Sequence, residues 1–239
     1  MVLFAPLYVV AWLRPRTREQ AFQRYNRNFY RIFFALLQAV TPRHCWILDG
    51  RIKAIRSSVV LCNHRSYLDP LLLIAMLGRS KTVIKPAFFA IPLFSWVLRG
   101  AGYFPATASG KYGGLMLAQM ETIATYLASG GNLFIFPEGT RNREGGLAEL
   151  NRSALKLALH CRVPIYVLCL QNTDKVFIPG KFVFSTRVGH QAISLRIVAS
   201  IDPGEESMSV DLLHDRVRQS MHDGLSISDG EANFEVCNP

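Results

Sequence analysis

Residues 58–70 have the sequence Ser-Val-Val-Leu-Cys-Asn-His-Arg-Ser-Tyr-Leu-Asp-Pro. The apolar run at 58–62 is typical of a buried strand, and Asp69 followed by Pro70 is a strong signal for the N-cap of a helix. We therefore expect His64 on the loop that joins the strand to the helix, beside Asp69. Open α/β sheets place their functional sites on such loops, at the carboxyl ends of strands.

Strand and helix patterns alternate through the rest of the chain. Helices are predicted at residues 70–77, 115–127, 147–160 and from Ser209, and buried strands at 82–85, 133–136 and 163–170. Residues 193–197 alternate apolar and polar side chains, which predicts a strand with one solvated face. The alternation predicts an α/β domain, a mostly parallel sheet covered by helices, at residues 43–225. The polar tail at 226–239 is expected to be loose.

The first 42 residues have a different character, which predicts a membrane-associating helical segment at 1–42. Residues 1–13 are almost wholly apolar but fall short of the roughly 20 residues that span a bilayer. Residues 14–31 then carry six arginines against one acid, with aromatic side chains between them, and residues 32–40 are apolar again. Two short apolar helices that flank a basic, aromatic segment predict a monotopic anchor in the membrane interface. A pair of ordinary core helices is the alternative.

The composition agrees with a lipid surface as partner. Half of the 239 residues are hydrophobic, 18% are charged, and the net charge is +10; soluble domains have about 25% charged residues. An apolar and basic chain suits an anionic membrane surface, here expected on the cytoplasmic face. A basic soluble protein remains an alternative. No nucleic-acid-binding motif accompanies the arginines, so no nucleic-acid partner is predicted. The five cysteines have no zinc-binding spacing, so no metal site is predicted.

His64 and Asp69 are the candidate catalytic pair. On one continuous helix their side chains would point about 140° apart, so the spacing is useful only if the chain turns between them. With that turn, Asp69 can hold a neutral imidazole in one orientation, and such an imidazole is a general base for a hydroxyl group. The simpler alternative makes Asp69 a helix cap and His64 an ordinary loop residue.

A second polar loop follows the predicted strand at 133–136. Residues 134–143 have the sequence Phe-Ile-Phe-Pro-Glu-Gly-Thr-Arg-Asn-Arg. Arginine suits bidentate binding of phosphate, and a glycine lets backbone N–H groups approach an anion. The turn therefore predicts a phosphate-binding loop, and a solvated charged loop is the alternative.

The two motifs together, in this order and about seventy residues apart, resemble the glycerolipid acyltransferase family, the 1-acylglycerol-3-phosphate and lysophospholipid acyltransferases. Val-Pro-Ile-Tyr-Val at 163–167 is similar to a further block of that family, and Lys85 with Pro-Leu-Phe-Ser-Trp at 92–96 is similar to the segment before another. The resemblance covers residues 45–200 in rough bounds. It implies an α/β acyltransferase fold and an enzyme of phospholipid synthesis or remodelling.

The resemblance also implies a role for each site residue. His64 would take the proton from a lysophospholipid or 1-acylglycerol-3-phosphate hydroxyl as that hydroxyl attacks an acyl thioester, and Asp69 would orient His64. The residues that would lie beside the acceptor are Asn63, Lys85, Glu138, Gly139, Thr140 and Arg141. The acyl donor would be acyl-CoA or acyl-carrier protein, and no metal or prosthetic group would be needed.

One position departs from the family pattern. Aligned on Pro92 and Gly102, the chain has Ala108 where the family usually has a phosphate-binding arginine. A lost charge-assisted contact weakens binding by roughly 1.5–3 kcal/mol. An acceptor other than lysophosphatidate, such as a lysophospholipid with a substituted head group or lyso-ornithine lipid, is therefore an alternative. A catalytically silent lipid-binding protein of the same fold is another.

Overall fold

A seven-stranded sheet lies at the centre of the computed structural model, which describes residues 5–42, 44–106, 121–142, 146–176, 192–203 and 208–226. The strands are β1 (Trp46–Leu48), β2 (Val59–Cys62), β3 (Ser80–Ile84), β4 (Phe104–Pro105), β5 (Asn132–Ile135), β6 (Ile165–Gln171) and β7 (Ile193–Ile201). Their order across the sheet is β1-β7-β6-β2-β5-β3-β4. Strands β6, β2, β5, β3 and β4 are parallel, whereas β7 is antiparallel to β6 and pairs in parallel with β1. The predicted mostly parallel α/β sheet is confirmed.

Helices cover both faces of the sheet. They are α1 (Ala5–Trp12), α2 (Arg18–Val40), α3 (Leu68–Met76), α4 (Pro86–Phe89), α5 (Pro92–Gly100), α6 (helical at 121–128 within the described residues), α7 (Arg152–His160), α8 (Thr173–Val176) and α9 (Val210–Ser226), with a 3₁₀ helix at Gly50–Ala54. Alternate side chains of β2 face the two layers. Val60 and Cys62 join a core with α2 and α3, whereas Val59 and Leu61 join a core with α6, α7 and α9. This alternation explains why β2 is apolar throughout.

The N-terminal region differs from its prediction. Residues 18–40 form one helix rather than a basic segment followed by a short apolar helix. The reason is local, since no Gly or Pro interrupts this stretch. One face of the α1–α2 pair is core: Tyr8 and Phe22 are buried, and the Tyr8 hydroxyl donates to Asn26 Oδ1 at 2.7 Å. Among the described residues, no helix has both the length and the apolar character to cross a membrane.

Three local predictions also need correction. Helix α3 begins at Leu68, so Tyr67 rather than Asp69 is its N-cap. Helix α7 begins at Arg152 rather than at 147, because the Asn151 side chain caps it by accepting the Ser153 N–H at 2.8 Å. Strand β7 does not have the predicted solvated face: Ser194 and Arg196 are buried, because helix α9 packs against the face that carries them.

Candidate active site

His64 and Asp69 meet where β2 passes into α3. Nδ1 of the imidazole lies 2.9 Å from Oδ2 of the carboxylate. His64 is the second residue after β2, and Asp69 is the second residue of α3, so the loop between them turns the chain back on itself. The Asp69 side chain is fully buried, and the His64 side chain retains 17% of its exposure. The structure therefore brings the predicted pair together, with the imidazole still accessible.

The Asp69 carboxylate is held by backbone N–H groups of the loop between β2 and α3. Its Oδ2 accepts the backbone N–H groups of Arg65 at 2.6 Å and Ser66 at 2.7 Å, in addition to the His64 contact. A helix N-cap would instead accept N–H groups from inside the helix. These donors satisfy a carboxylate that is out of contact with water, which would otherwise be costly to bury.

Thr173 completes the carboxylate network. Its hydroxyl donates to Asp69 Oδ1 at 2.6 Å, and both side chains are fully buried. Thr173 is the first residue of α8, directly beyond β6, and sequence reasoning missed it because 104 residues separate it from Asp69. With Asp69 accepting from Nδ1–H, the imidazole keeps its Nε2 lone pair free to act as a base.

The loop after β5 fixes the His64 backbone and ring. The His64 N–H donates to Glu138 Oε1 at 2.7 Å, and the His64 carbonyl accepts the Asn142 N–H at 2.9 Å. Phe136 stacks on the imidazole with ring centroids 4.1 Å apart and planes inclined by 21°. Together with the Asp69 contact, these interactions leave the imidazole little freedom to rotate.

Glu138 lies between chain segments rather than open to solvent. While Oε1 accepts the His64 N–H, Oε2 accepts the Ala148 N–H at 3.1 Å. Burial raises the pKa of this carboxyl group, and the two N–H donors and the nearby imidazole only partly offset that effect. Both oxygens are used inside the protein, so this placement gives Glu138 a positioning role toward His64.

The next three residues of this turn are more open. Gly139 has φ +69° with no other atoms near its missing side chain, and Thr140 is exposed. The Arg141 guanidinium lies over the ring of Tyr67, 3.4 Å from the ring centroid. Tyr67 belongs to the His64 loop, so this stacking places a positive charge beside that loop. Tyr67 was not among the predicted site residues.

Asn63 and Lys85 have different surroundings. The Asn63 side chain is buried and exchanges two hydrogen bonds with the backbone of Leu170, at 2.8 Å and 2.7 Å. It therefore joins the end of β2 to β6 and has no surface to offer a substrate. Lys85 is exposed at the carboxyl end of β3, two strands from β2 and so roughly 10 Å to the side. Ala108 lies outside the described residues.

The site combines a group that can accept a proton, the His64 imidazole, with a group that can bind an anion, the Arg141 guanidinium. The imidazole is oriented by a buried carboxylate, and a stacked arginine lies beside the loop that carries it. Within the described residues, no group of three or more His, Cys, Asp or Glu side chains could hold a metal ion.

The chain is similar to proteins of one family. A family model described as Acyltransferase matches residues 49–171. Over 165 residues the chain is 26% identical to a chloroplastic 1-acyl-sn-glycerol-3-phosphate acyltransferase of Brassica napus, covering 66% of this chain and 47% of the relative. Over 168 residues it is 28% identical to 1-acyl-sn-glycerol-3-phosphate acyltransferase alpha of Bos taurus, covering 68% of this chain and 56% of the relative. The chain spans about half the length of these curated relatives.

A solved structure shares the fold. It is the 1-acyl-sn-glycerophosphate acyltransferase PlsC of Thermotoga maritima, with a TM-score of 0.71 at 20% sequence identity. The superposition covers 93% of this chain and 87% of that one.

Proposed function

Because this chain belongs to the acyltransferase family, we propose that it transfers a fatty acyl group from an acyl thioester to the free hydroxyl of 1-acylglycerol-3-phosphate or a related lysophospholipid. The observation that carries the proposal is the contact of 2.9 Å between His64 Nδ1 and the buried Asp69 carboxylate. The names of the relatives favour 1-acylglycerol-3-phosphate as the acceptor and phospholipid synthesis as the setting.

The proposed reaction needs one base. Nε2 of His64 takes the proton from the acceptor hydroxyl while the hydroxyl oxygen attacks the thioester carbonyl carbon. Asp69 stabilises the imidazolium that forms. The carbon–sulfur bond then breaks, and the departing thiolate takes the proton from the imidazolium. The products are a new ester and the free thiol of coenzyme A or of acyl-carrier protein.

Arg141 is the proposed phosphate contact. Stacking on Tyr67 restricts its guanidinium, so less side-chain freedom is lost when it binds an anion. Gly139 and Thr140, the two residues before it, are exposed and can add a backbone N–H and a hydroxyl. Lys85 would reach the same ligand from the end of β3, which is the strand next to β5. A charge-assisted bond of this kind contributes roughly 1.5–3 kcal/mol.

Acyl transfer by the His64→Ala variant tests the proposal. General-base catalysis contributes about 10²–10⁴-fold to the rate. We therefore expect kcat to fall by about 10²-fold or more, with either acyl-CoA or acyl-carrier protein as donor. The matched control is His160→Ala, since His160 is an exposed residue at the end of α7, just before the amino end of β6 and so at the end of the sheet opposite to His64. A His64→Ala enzyme with the rate of the control would contradict the mechanism. Binding of lysophosphatidate without any turnover in the wild-type protein would favour the silent lipid-binding alternative.

The same chain is proposed to attach to the cytoplasmic face of a membrane through α1 and α2. Large apolar side chains are exposed on both helices and directly after α1, among them Val9 of α1 at 53%, Leu13 after α1 at 75% and Leu36 of α2 at 62%. Their burial in lipid would contribute about 25 cal/mol per Å² of apolar surface. Arginines of the α1–α2 segment would face the anionic headgroups.

Flotation with vesicles that contain an anionic lipid tests this attachment. The Leu13→Glu, Leu36→Glu double variant should leave the vesicle fraction. The control variant Leu212→Glu alters an exposed leucine of α9 and should still float. Equal flotation of the two variants would exclude α1 and α2 as the attachment surface.

A further inference from the structure

A cavity of about 610 Å³ lies at the end of the sheet opposite to His64. Its walls are the α1–α2 segment together with the loops that precede β2 and β3, represented by Arg56 and by Gly78 with Arg79. His64 follows the other end of β2, and a four-residue strand spans roughly 13 Å. The cavity is therefore separate from the catalytic pair.

The cavity is strongly positive. Among the described residues, its lining includes five arginines and no acidic residue, and the arginines are Arg14, Arg24, Arg27, Arg56 and Arg79. They come from three separate parts of the chain, so their convergence is a product of the fold and not of one basic run. Like charges held this close repel one another, and an anion between them would remove that repulsion.

Two of the guanidinium groups are positioned by backbone carbonyls. One Arg56 nitrogen donates to the carbonyls of Lys53 at 2.8 Å and Ile55 at 2.7 Å. Arg79 donates to the Ser129 carbonyl at 2.7 Å. A side-chain carbon on Gly78 would lie 3.2 Å from the Arg56 guanidinium, so the absence of a side chain there leaves room for the Arg56 head group. Groups held in advance lose less freedom when a ligand binds.

Arg27 also lines this cavity. Its Nε is buried and has no hydrogen-bond acceptor among the described residues. Burial, followed by the positive charges of Arg31 and Arg56, lowers the pKa of Arg27. A bound anion would offset this effect, because it stabilises the charge of the guanidinium group.

Apart from Thr17, Gln20 and Gly78, the remaining lining is apolar and comes from α1 and α2. Val10 and Ala11 of α1 line the cavity together with Tyr25 of α2. Two further side chains of the α1 region, Val9 and Leu13, are exposed at 53% and 75%. A ligand that fits both parts carries a negative head group and an apolar tail.

We propose that this arginine-lined cavity binds the phosphate headgroup of an anionic membrane phospholipid, at a site separate from the catalytic pair. The acyl chains of that lipid would lie along the exposed apolar side chains of α1. The inference rests on the proposed membrane attachment of α1 and α2 and not on the proposed acyl transfer.

Titration of the protein with dihexanoylphosphatidylglycerol below its micelle concentration tests the inference. The pocket variant is Arg27→Gln with Arg56→Gln. The control variant is Arg16→Gln with Arg218→Gln, which removes the same charge from exposed arginines outside the cavity lining. Each charge-assisted contact corresponds to about a tenfold change or more, so the pocket variant should bind at least tenfold more weakly. The control should change by less than about fivefold.

Several results would overturn the proposal. Equal weakening in both double variants would mean a diffuse attraction without a defined site. Inorganic phosphate that binds as tightly as the short-chain lipid would make the ligand a free anion. Should the pocket variant unfold, Arg27→Lys with Arg56→Lys keeps the charges but loses the planar forks, and retention of full affinity would then count against the site. Acyl transfer by the wild-type protein in detergent is measured in parallel. If the wild-type protein transferred no acyl group, the proposed reaction would be refuted, whereas the proposed lipid site would not be affected.

Discussion

Replacing Thr173 by valine removes one hydrogen bond from a buried carboxylate while keeping the shape of the side chain. The Thr173 hydroxyl lies 2.6 Å from Asp69 Oδ1, and neither side chain is exposed. No water can take the place of the lost donor without opening the core, so Asp69 Oδ1 would remain unsatisfied. A hydrogen bond to a charged group contributes about 1.5–3 kcal/mol.

The expected effect appears both in stability and in catalysis. The free energy of unfolding should fall by about 1.5–3 kcal/mol. In a chain of this length, the melting temperature should fall by about 2–4 °C for each kcal/mol. Asp69 would also be less firmly oriented toward His64, so kcat should fall by about tenfold or more. KM for the acceptor should stay near the wild-type value, because Thr173 is fully buried and does not reach the substrate.

Steady-state acyl transfer and thermal unfolding measure the two effects. Thr173→Ser restores the hydroxyl and should recover most of kcat, whereas Thr125→Val alters an exposed threonine of α6 and should change neither quantity. A Thr173→Val enzyme with wild-type kcat would refute the view that this hydroxyl positions the catalytic pair. A serine variant as slow as the valine variant would refute it as well.

Three other substitutions separate positioning from binding. Glu138→Gln loses one of two acceptors for backbone N–H groups, so unfolding should become easier by about 1–3 kcal/mol, and kcat should fall more than KM rises. Burial raises the pKa of Glu138, so the protonated carboxyl group stabilises the folded state. This stabilisation is complete below the pKa that Glu138 has in the unfolded chain, and it declines as the pH rises through the higher pKa of the folded protein. Denaturation at several pH values should show the decline in the wild type and not in the glutamine variant. Arg141→Ala should raise KM for a phosphate-bearing acceptor by about tenfold or more and leave the melting temperature within about 2 °C, and an unchanged KM would exclude the phosphate contact. Asn63→Leu leaves both backbone groups of Leu170 without partners and should cost about 2 kcal/mol or more of stability, measured by denaturant unfolding.

Position 108, where the family usually has a phosphate-binding arginine, provides a test of the acceptor. Ala108→Arg should increase activity with lysophosphatidate relative to a lysophospholipid that has a substituted head group. Kinetics with both acceptors measure the ratio, and no shift in it would count against the contact expected from the family pattern.

The sequence alone predicted β2, β3, β5, β6 and β7 in their order along the chain, but not β1 or β4, and it identified the two loops that carry the chemistry. The apolar runs at 58–62 and 133–136 form β2 and β5 within one residue at either end, because continuous burial on both faces demands apolar side chains at every position. His64, Asp69 and Arg141 could be selected as candidates because residue chemistry and the resemblance to a family are local properties of the chain. Helix boundaries were less certain, as the starts of α3 and α7 show, because capping depends on which loop atoms come near.

Only the tertiary structure decided which partners these residues meet. The order β6-β2-β5 places the carboxyl ends of three strands side by side, and this brings Thr173 to Asp69, Glu138 to His64 and Leu170 to Asn63. Each of these contacts joins residues more than seventy positions apart, and no local pattern specifies which strands become neighbours. The arginine-lined cavity arises in the same way at the opposite end of the sheet, since its charges come from three segments that only the packed core holds together.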